Sequence, residues 1–126
     1  MALALRAGLH LPDRRGSEGL LPFLLARRRR CRSPLLSVAA HGRAGLARAR
    51  RLGADLVMLS PVFPTASHPG APALGPLRWA ALARRAGRPA VALGGLTRRN
   101  LGRVPGLNGT GAHGPAVGWA AIGGLA

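Results

Sequence analysis

Pro61, Pro64, Pro69 and Pro72 punctuate the stretch Ser60 to Gly75 so densely that no helix can run through it. Each proline fixes its own φ and pushes the residue before it toward extended conformations. The stretch is therefore expected to be a stiff loop. It follows Ala54 to Leu59, a short apolar run of the kind a strand buried on both faces shows, and it precedes Gly75-Pro76, where proline suits the first position of a helix. Strand, loop, helix is the implied order, with Thr65, Ser67 and His68 presented by the loop. Hydroxyls, backbone N–H groups and an imidazole at the carboxyl end of a strand, just ahead of a helix, suit a phosphate or other anion. A rigid surface loop without a ligand is the competing reading.

The rest of the chain repeats that order. Gly8 to Leu11 reads as a brief strand ended by Pro12. Ser17 is a suitable N-cap for a helix with Leu20, Leu21, Leu24 and Leu25 on one face, and the basic run Arg27 to Arg30 suits its C-terminal dipole. Leu35 to Ala40 is a second strand. Gly42 to Leu52 is a helix with Gly45, Ala49 and Leu52 inward, stopped by Gly53. After the proline loop, Pro76 to Ala86 is a helix whose stripe is Trp79, Leu82, Ala83 and Ala86, stopped by Gly87. Ala90 to Leu93 is a fourth strand, Thr97 caps a short helix to about Val104, and Trp119 to Ile122 closes the series after the glycine-rich Gly106 to Pro115. Five strands alternating with four helices imply a parallel α/β sheet of right-handed units. His10, Asp13, His41, the proline loop, Gly94-Gly95 and Gly123-Gly124 all fall at or just after strand ends. That is the face on which such folds build their sites.

Composition limits the partners. All 19 basic residues are arginine, against three acidic residues, for a formal charge of +16 over 126 residues. Such an excess attracts nucleic acid, anionic lipid or phosphorylated substrates. Because the arginines recur on several helices, with few aromatics and no nucleic-acid motif, a solvated helical exterior is the expectation, without a specific nucleic-acid or membrane partner. The single Cys31 allows no internal disulfide and fits a reducing, cytoplasmic setting. No apolar run approaches the length of about 20 residues that a membrane span needs.

At Leu59 to Gly75 and at Ala92 to Leu96 the chain resembles the thiamine phosphate synthase and thiazole tautomerase family. Gly8 to Leu11, Gly53 to Asp55, Pro61 to Thr65 and Gly118 to Ile122 carry the same resemblance. It implies part of a (β/α)₈ TIM barrel, with family strands four to eight in this one domain and the three N-terminal units missing. It further implies that Thr65 and Ser67 hold a thiazole phosphate, together with Gly95, Ile122 and Gly123, and that His41 stands where the tautomerases place a proton-transferring histidine. Other positions depart from the pattern. His68 replaces a pyrophosphate-binding lysine, Ala39 replaces a serine, and Arg15 stands where a magnesium-binding aspartate is expected, leaving Asp13 as the nearby carboxylate. Mg2+ is the family's cofactor, with its usual ligands absent or replaced here and its metal residues unknown.

The resemblance implies a transferase that joins hydroxymethylpyrimidine pyrophosphate to thiazole phosphate with loss of pyrophosphate. A tautomerase-like isomerase is the alternative enzyme, and an inactive fragment or basic nucleic-acid or anion-binding module the non-enzymatic one. Five strands alone leave two sheet edges that need covering by a second copy, a missing N-terminal piece or aggregation.

Overall fold

The computed structural model describes residues 8–13, 16, 18–29, 34–67, 69–107 and 116–120. Five strands, β1 (Leu9–Leu11), β2 (Leu36–Ala40), β3 (Leu56–Leu59), β4 (Ala90–Leu93) and β5 (Ala116–Ala120), form one sheet. Helices α1 (Leu21–Arg29), α2 (Arg43–Arg51) and α3 (Pro76–Arg85) make the first three crossovers, and a 3-10 turn, Leu101–Arg103, lies in the fourth. Every neighbouring pair is parallel and the spatial order is the chain order. A doubly wound sheet reverses its strand order and carries helices on both faces. Unbroken order with right-handed crossovers keeps the helices on one side, which is the arrangement of a barrel arc.

The register sorts the side chains into two faces. Val38, Val57 and Ala90 stand side by side, as do Ala40, Leu59 and Ala92, and all six are fully buried. They face the helices, because a Cβ on Gly45 of α2 would lie 2.8 Å from both the Cα and the Cβ of Ala40. Only glycine lets α2 approach β2 this closely. The alternate residues, among them Ser37, Ala39, Leu56, Met58 and Val91, are half-buried on the other face. The expectation that β3 is buried on both faces is thus corrected: its apolar run alternates between a sealed face and a concave, partly open one.

Helix α1 departs from its expected stripe. Leu20 and Phe23 are buried and Leu24 is half-buried, whereas Leu21 and Leu25 are 65% and 44% exposed. Phe23, the bulkiest residue of the helix, turns inward, and the stripe becomes Leu20, Phe23, Leu24 and Arg27 at offsets of three, four and seven. Arg27 is consequently carried into the structure instead of joining a solvated C-terminus. Its guanidinium donates to both carboxylate oxygens of Asp55, at 2.7 and 3.0 Å, and to the carbonyls of Pro34 and Gly53. Asp55 also accepts from the Leu36 N–H at 2.6 Å. One ion pair therefore ties α1 to the starts of β2 and β3, on the face opposite the strand ends that carry the candidate site.

Arg27's hydrogen bonds, then the Leu36 N–H and the charges of Arg27 and Arg88, hold the Asp55 carboxyl below its ordinary value against the opposing cost of burial. With a lowered folded value, its stabilisation is complete above the unfolded aspartate value of about 3.9 and is lost as pH falls through the folded value. Asp55→Ala is expected to lower stability at pH 7 by about 1–2 kcal/mol, after discounting for a carboxylate that is 36% exposed. Chemical denaturation at pH 7 and below pH 4 checks this. The difference from wild type should narrow at the lower pH, and a constant difference would mean that ionised Asp55 contributes nothing.

The remaining elements follow their sequence cues with small shifts. Trp79, Leu82, Ala83 and Ala86 are buried as the stripe of α3 implies, and in α2 Leu46 joins Gly45 and Ala49 while Leu52 stays half-buried. The short helix after Thr97 is only the 3-10 turn Leu101–Arg103. At the start of this turn Asn100 Oδ1 accepts the Thr97 N–H at 2.8 Å while Thr97 O accepts the N–H groups of Asn100 and Leu101. Strand β5 begins at Ala116, three residues earlier than expected, and Ile122 lies outside the described residues. Ser17 and Cys31 do too.

Candidate functional site at the carboxyl ends of the strands

The proline loop is built from the backbone outward. After β3 the Val62 N–H donates to Leu93 O at 3.0 Å and the Phe63 N–H to Gly94 O at 3.1 Å, so the loop's first residues run beside the end of β4. Leu74 N–H and Gly75 N–H then return to Pro61 O and Val62 O, both at 2.9 Å, closing the base of the excursion. At its far end the Ser67 N–H donates to Thr65 Oγ1 at 3.3 Å, a local turn that sets the direction of the threonine hydroxyl. Thr65 is half-buried and Ser67 exposed. Both hydroxyls retain the capacity to donate to an anion.

Gly94 and Gly95 make the second wall. Their φ values are +92° and +64°, and they pack so tightly on the loop that a Cβ on Gly95 would stand 2.6 Å from Phe63 O and meet the carbonyl of Pro64. Gly95 is held from behind as well, because Asn100 Nδ2 donates to its carbonyl at 2.8 Å. Arg103 places its guanidinium 5.4 Å from the centroid of the Phe63 ring, a cation–π contact on the same frame. Thus the phosphate candidates that follow β3 and β4, twenty or more residues apart in the chain, share one wall. Asn100 and Arg103 were not singled out from the sequence. The only signal for Asn100 was an asparagine three residues after a threonine, a capping spacing.

His41 sits at the other end of the Ser60–Pro64 segment. Its Nδ1 lies 2.8 Å from Ser60 O and 3.3 Å from Ser60 Oγ, and its Nε2 3.8 Å from Asp13 Oδ2. A carbonyl accepts only, so the first contact places a proton on Nδ1, and Nε2 faces the Asp13 carboxylate. The imidazole is half exposed there. On β1 the exposed His10 pairs through Nδ1 with Ser37 Oγ at 2.8 Å, across the β1–β2 register. The contacts thus link Gly95 to the loop and His41 to the residue where that loop begins. His68, Ile122 and Gly123 lie outside the described residues, as does Arg15.

Magnesium takes oxygen ligands, with carboxylates as its usual protein anchors. Among the described residues no three His, Cys, Asp or Glu side chains come together. Asp13 lies against His41 and Asp55 is engaged by Arg27 at the opposite face. The described donor set does not make a magnesium site. Among the described residues, too, no helix is long and apolar enough to cross a membrane.

Comparison with known proteins gives concordant matches. A family model described as "Thiamine monophosphate synthase" matches residues 1–121. A Geobacter sulfurreducens protein named "Putative thiamine-phosphate synthase" is 38% identical over 104 residues, covering 80% of this chain and 46% of that protein. "Putative thiamine-phosphate synthase 2" of Aquifex aeolicus is 33% identical over 100 residues, covering 77% of this chain and 50% of its own length. The chain spans about half the length of these curated relatives. In fold it is similar to a thiamine phosphate pyrophosphorylase from Pyrococcus furiosus, with a TM-score of 0.65 at 23% identity over 96% of this chain and 52% of that one.

Proposed function

Because this chain belongs to the thiamine monophosphate synthase family, we propose that its carboxyl face holds a thiazole phosphate for joining to a hydroxymethylpyrimidine pyrophosphate, with departure of pyrophosphate. The observation that supports this reading is the packing of Gly94-Gly95 against Pro61–Pro64, the segment directly followed by Thr65 and Ser67. A phosphate there gains hydroxyl donors and main-chain dipoles held in place before the ligand arrives, the condition under which a binding site loses least to ordering. The chain's work in the reaction is therefore binding and orientation. No step is assigned to magnesium, since the described residues do not gather ligands for it.

Thr65→Ala/Ser67→Ala is expected to weaken binding of the thiazole phosphate by at least about tenfold while leaving the thermal unfolding midpoint within a few degrees. Each hydrogen bond to a charged group is worth about 1.5–3 kcal/mol. Titration calorimetry with wild-type and variant protein measures it. Equal affinities would take the loop out of the site.

A second reading rests on His41 alone. With Nδ1–H given to Ser60 O, Nε2, 3.8 Å from the Asp13 carboxylate, is the nitrogen left to exchange a proton with a ligand, as a tautomerase-like step requires. The products separate the two readings, because pyrophosphate release needs both substrates and a tautomer shift needs only the thiazole phosphate.

A further inference from the structure

On the helix side of the sheet, α2 and α3 border a groove of about 390 Å³ lined by Arg43, Leu46, Arg50, Leu82 and Arg85, which runs from the start of α2, just after β2, toward the ends of α2 and α3. That volume is within the range of small-molecule sites, about 300–1,000 Å³. Arg43 and Arg50 are two helical turns apart, about 10 Å along α2. Arg50 crosses to α3 and donates from one guanidinium nitrogen to Arg85 O at 2.7 Å. The groove therefore has two arginines at one end, one at the other, and Leu46 and Leu82 between them as a floor, 2% and 7% exposed.

Among the described residues no acidic side chain lines this groove. Neither α2 nor α3 contains an acidic residue, and of the chain's three, Asp55 is bound to Arg27 while Asp13 and Glu18 lie between β1 and α1. Guanidinium groups brought together without counter-charge repel one another, and an anion seated among them removes that repulsion. The bond to Arg85 O also holds the Arg50 fork in place with its other N–H donors available, so less side-chain freedom is lost when a phosphate is bound.

We propose that the α2–α3 groove binds a phosphorylated small molecule, its phosphate groups held by Arg50 and Arg85 and its body lying over the leucine floor toward Arg43. Arg50 and Arg85 lie at the far end of α2 and α3 from the carboxyl face, with Arg43 at the end nearer to it, and the proposal does not depend on the function proposed for that face. A purely inorganic polyphosphate and an organic one present the same phosphate chemistry, and the groove length admits either.

The complication is the protein's overall charge of +16, which attracts any polyanion. The test therefore compares two double variants that remove the same charge. Arg43→Gln/Arg85→Gln changes the groove and leaves the Arg50 bond to the Arg85 carbonyl in place; Arg28→Gln/Arg29→Gln changes exposed positions on α1. ATP and tripolyphosphate are titrated into the full chain and both variants at 150 mM salt, with circular dichroism to verify folding. The groove pair is expected to weaken binding by about tenfold or more, as loss of charge-assisted hydrogen bonds does, and the α1 pair by no more than about twofold, as screened distant charge does. Tighter binding of ATP than of tripolyphosphate would identify the organic ligand class, and equal binding the inorganic one. Equal losses in the two variants, or no saturable binding of either probe, would overturn the proposal.

Discussion

Gly95→Val is expected to destabilise the protein by at least about 3 kcal/mol and to abolish measurable binding of a thiazole phosphate. Two costs add at this position. A non-glycine residue at a left-handed φ costs roughly 1–2 kcal/mol, more for a β-branched side chain, and Gly95 has φ +64°. Its Cβ would also stand 2.6 Å from Phe63 O, against backbone that cannot swing aside as a flexible side chain can. Overpacking of that kind adds about 1–3 kcal/mol. Relief requires the Phe63–Pro64 segment to move, and that segment carries Thr65 and Ser67. Gly102→Ala is the control, because nothing lies within 4 Å of the added Cβ. Denaturant midpoints and calorimetric titration of all three proteins measure both effects. A Gly95 variant with wild-type stability and affinity would mean that the close approach of the two turns is irrelevant to the site.

Trp79→Ala should cost more stability than any other single truncation in α3, about 3–5 kcal/mol. The indole is fully buried, and its Nε1–H donates to Leu59 O at 2.9 Å. Leu59 is the last residue of β3, and Ser60, which positions His41, follows it directly. Trp79 therefore anchors the strand end from which the loop departs. Trp79→Phe separates the two contributions: most of the packing remains, the donor is lost, and about 1 kcal/mol should go with the hydrogen bond. If the Phe variant lost as much as the Ala variant, the hydrogen bond would contribute more than the packing.

Much of the architecture was legible in the chain because its cues are local. Glycines after α2 and α3, proline at the start of α3 and runs of four to six apolar residues each act within a few positions, and β1 to β4 and α1 to α3 fall close to where these put them. The resemblance at Pro61 to Thr65 and Ala92 to Leu96 likewise pointed to the family. Where local cues allow several answers, expectation and structure part. Leu20, Leu21, Leu24 and Leu25 fit a helical stripe as well as Leu20, Phe23, Leu24 and Arg27 do; only the core beneath α1 and the carboxylate of Asp55 choose between them.

Backbone preferences and hydrophobic periodicity are properties of neighbouring residues, so the kind of each element and its order along the chain were already set in the amino-acid sequence. Which residues meet was settled by the fold. That Arg27 turns inward to Asp55, that Asn100 braces Gly95, and that Gly94-Gly95 lie against Pro61–Pro64 are contacts across 5 to 33 residues of chain. The first and last depend on the parallel register that sets β2, β3 and β4 side by side, and a register is a property of paired strands that no single segment encodes.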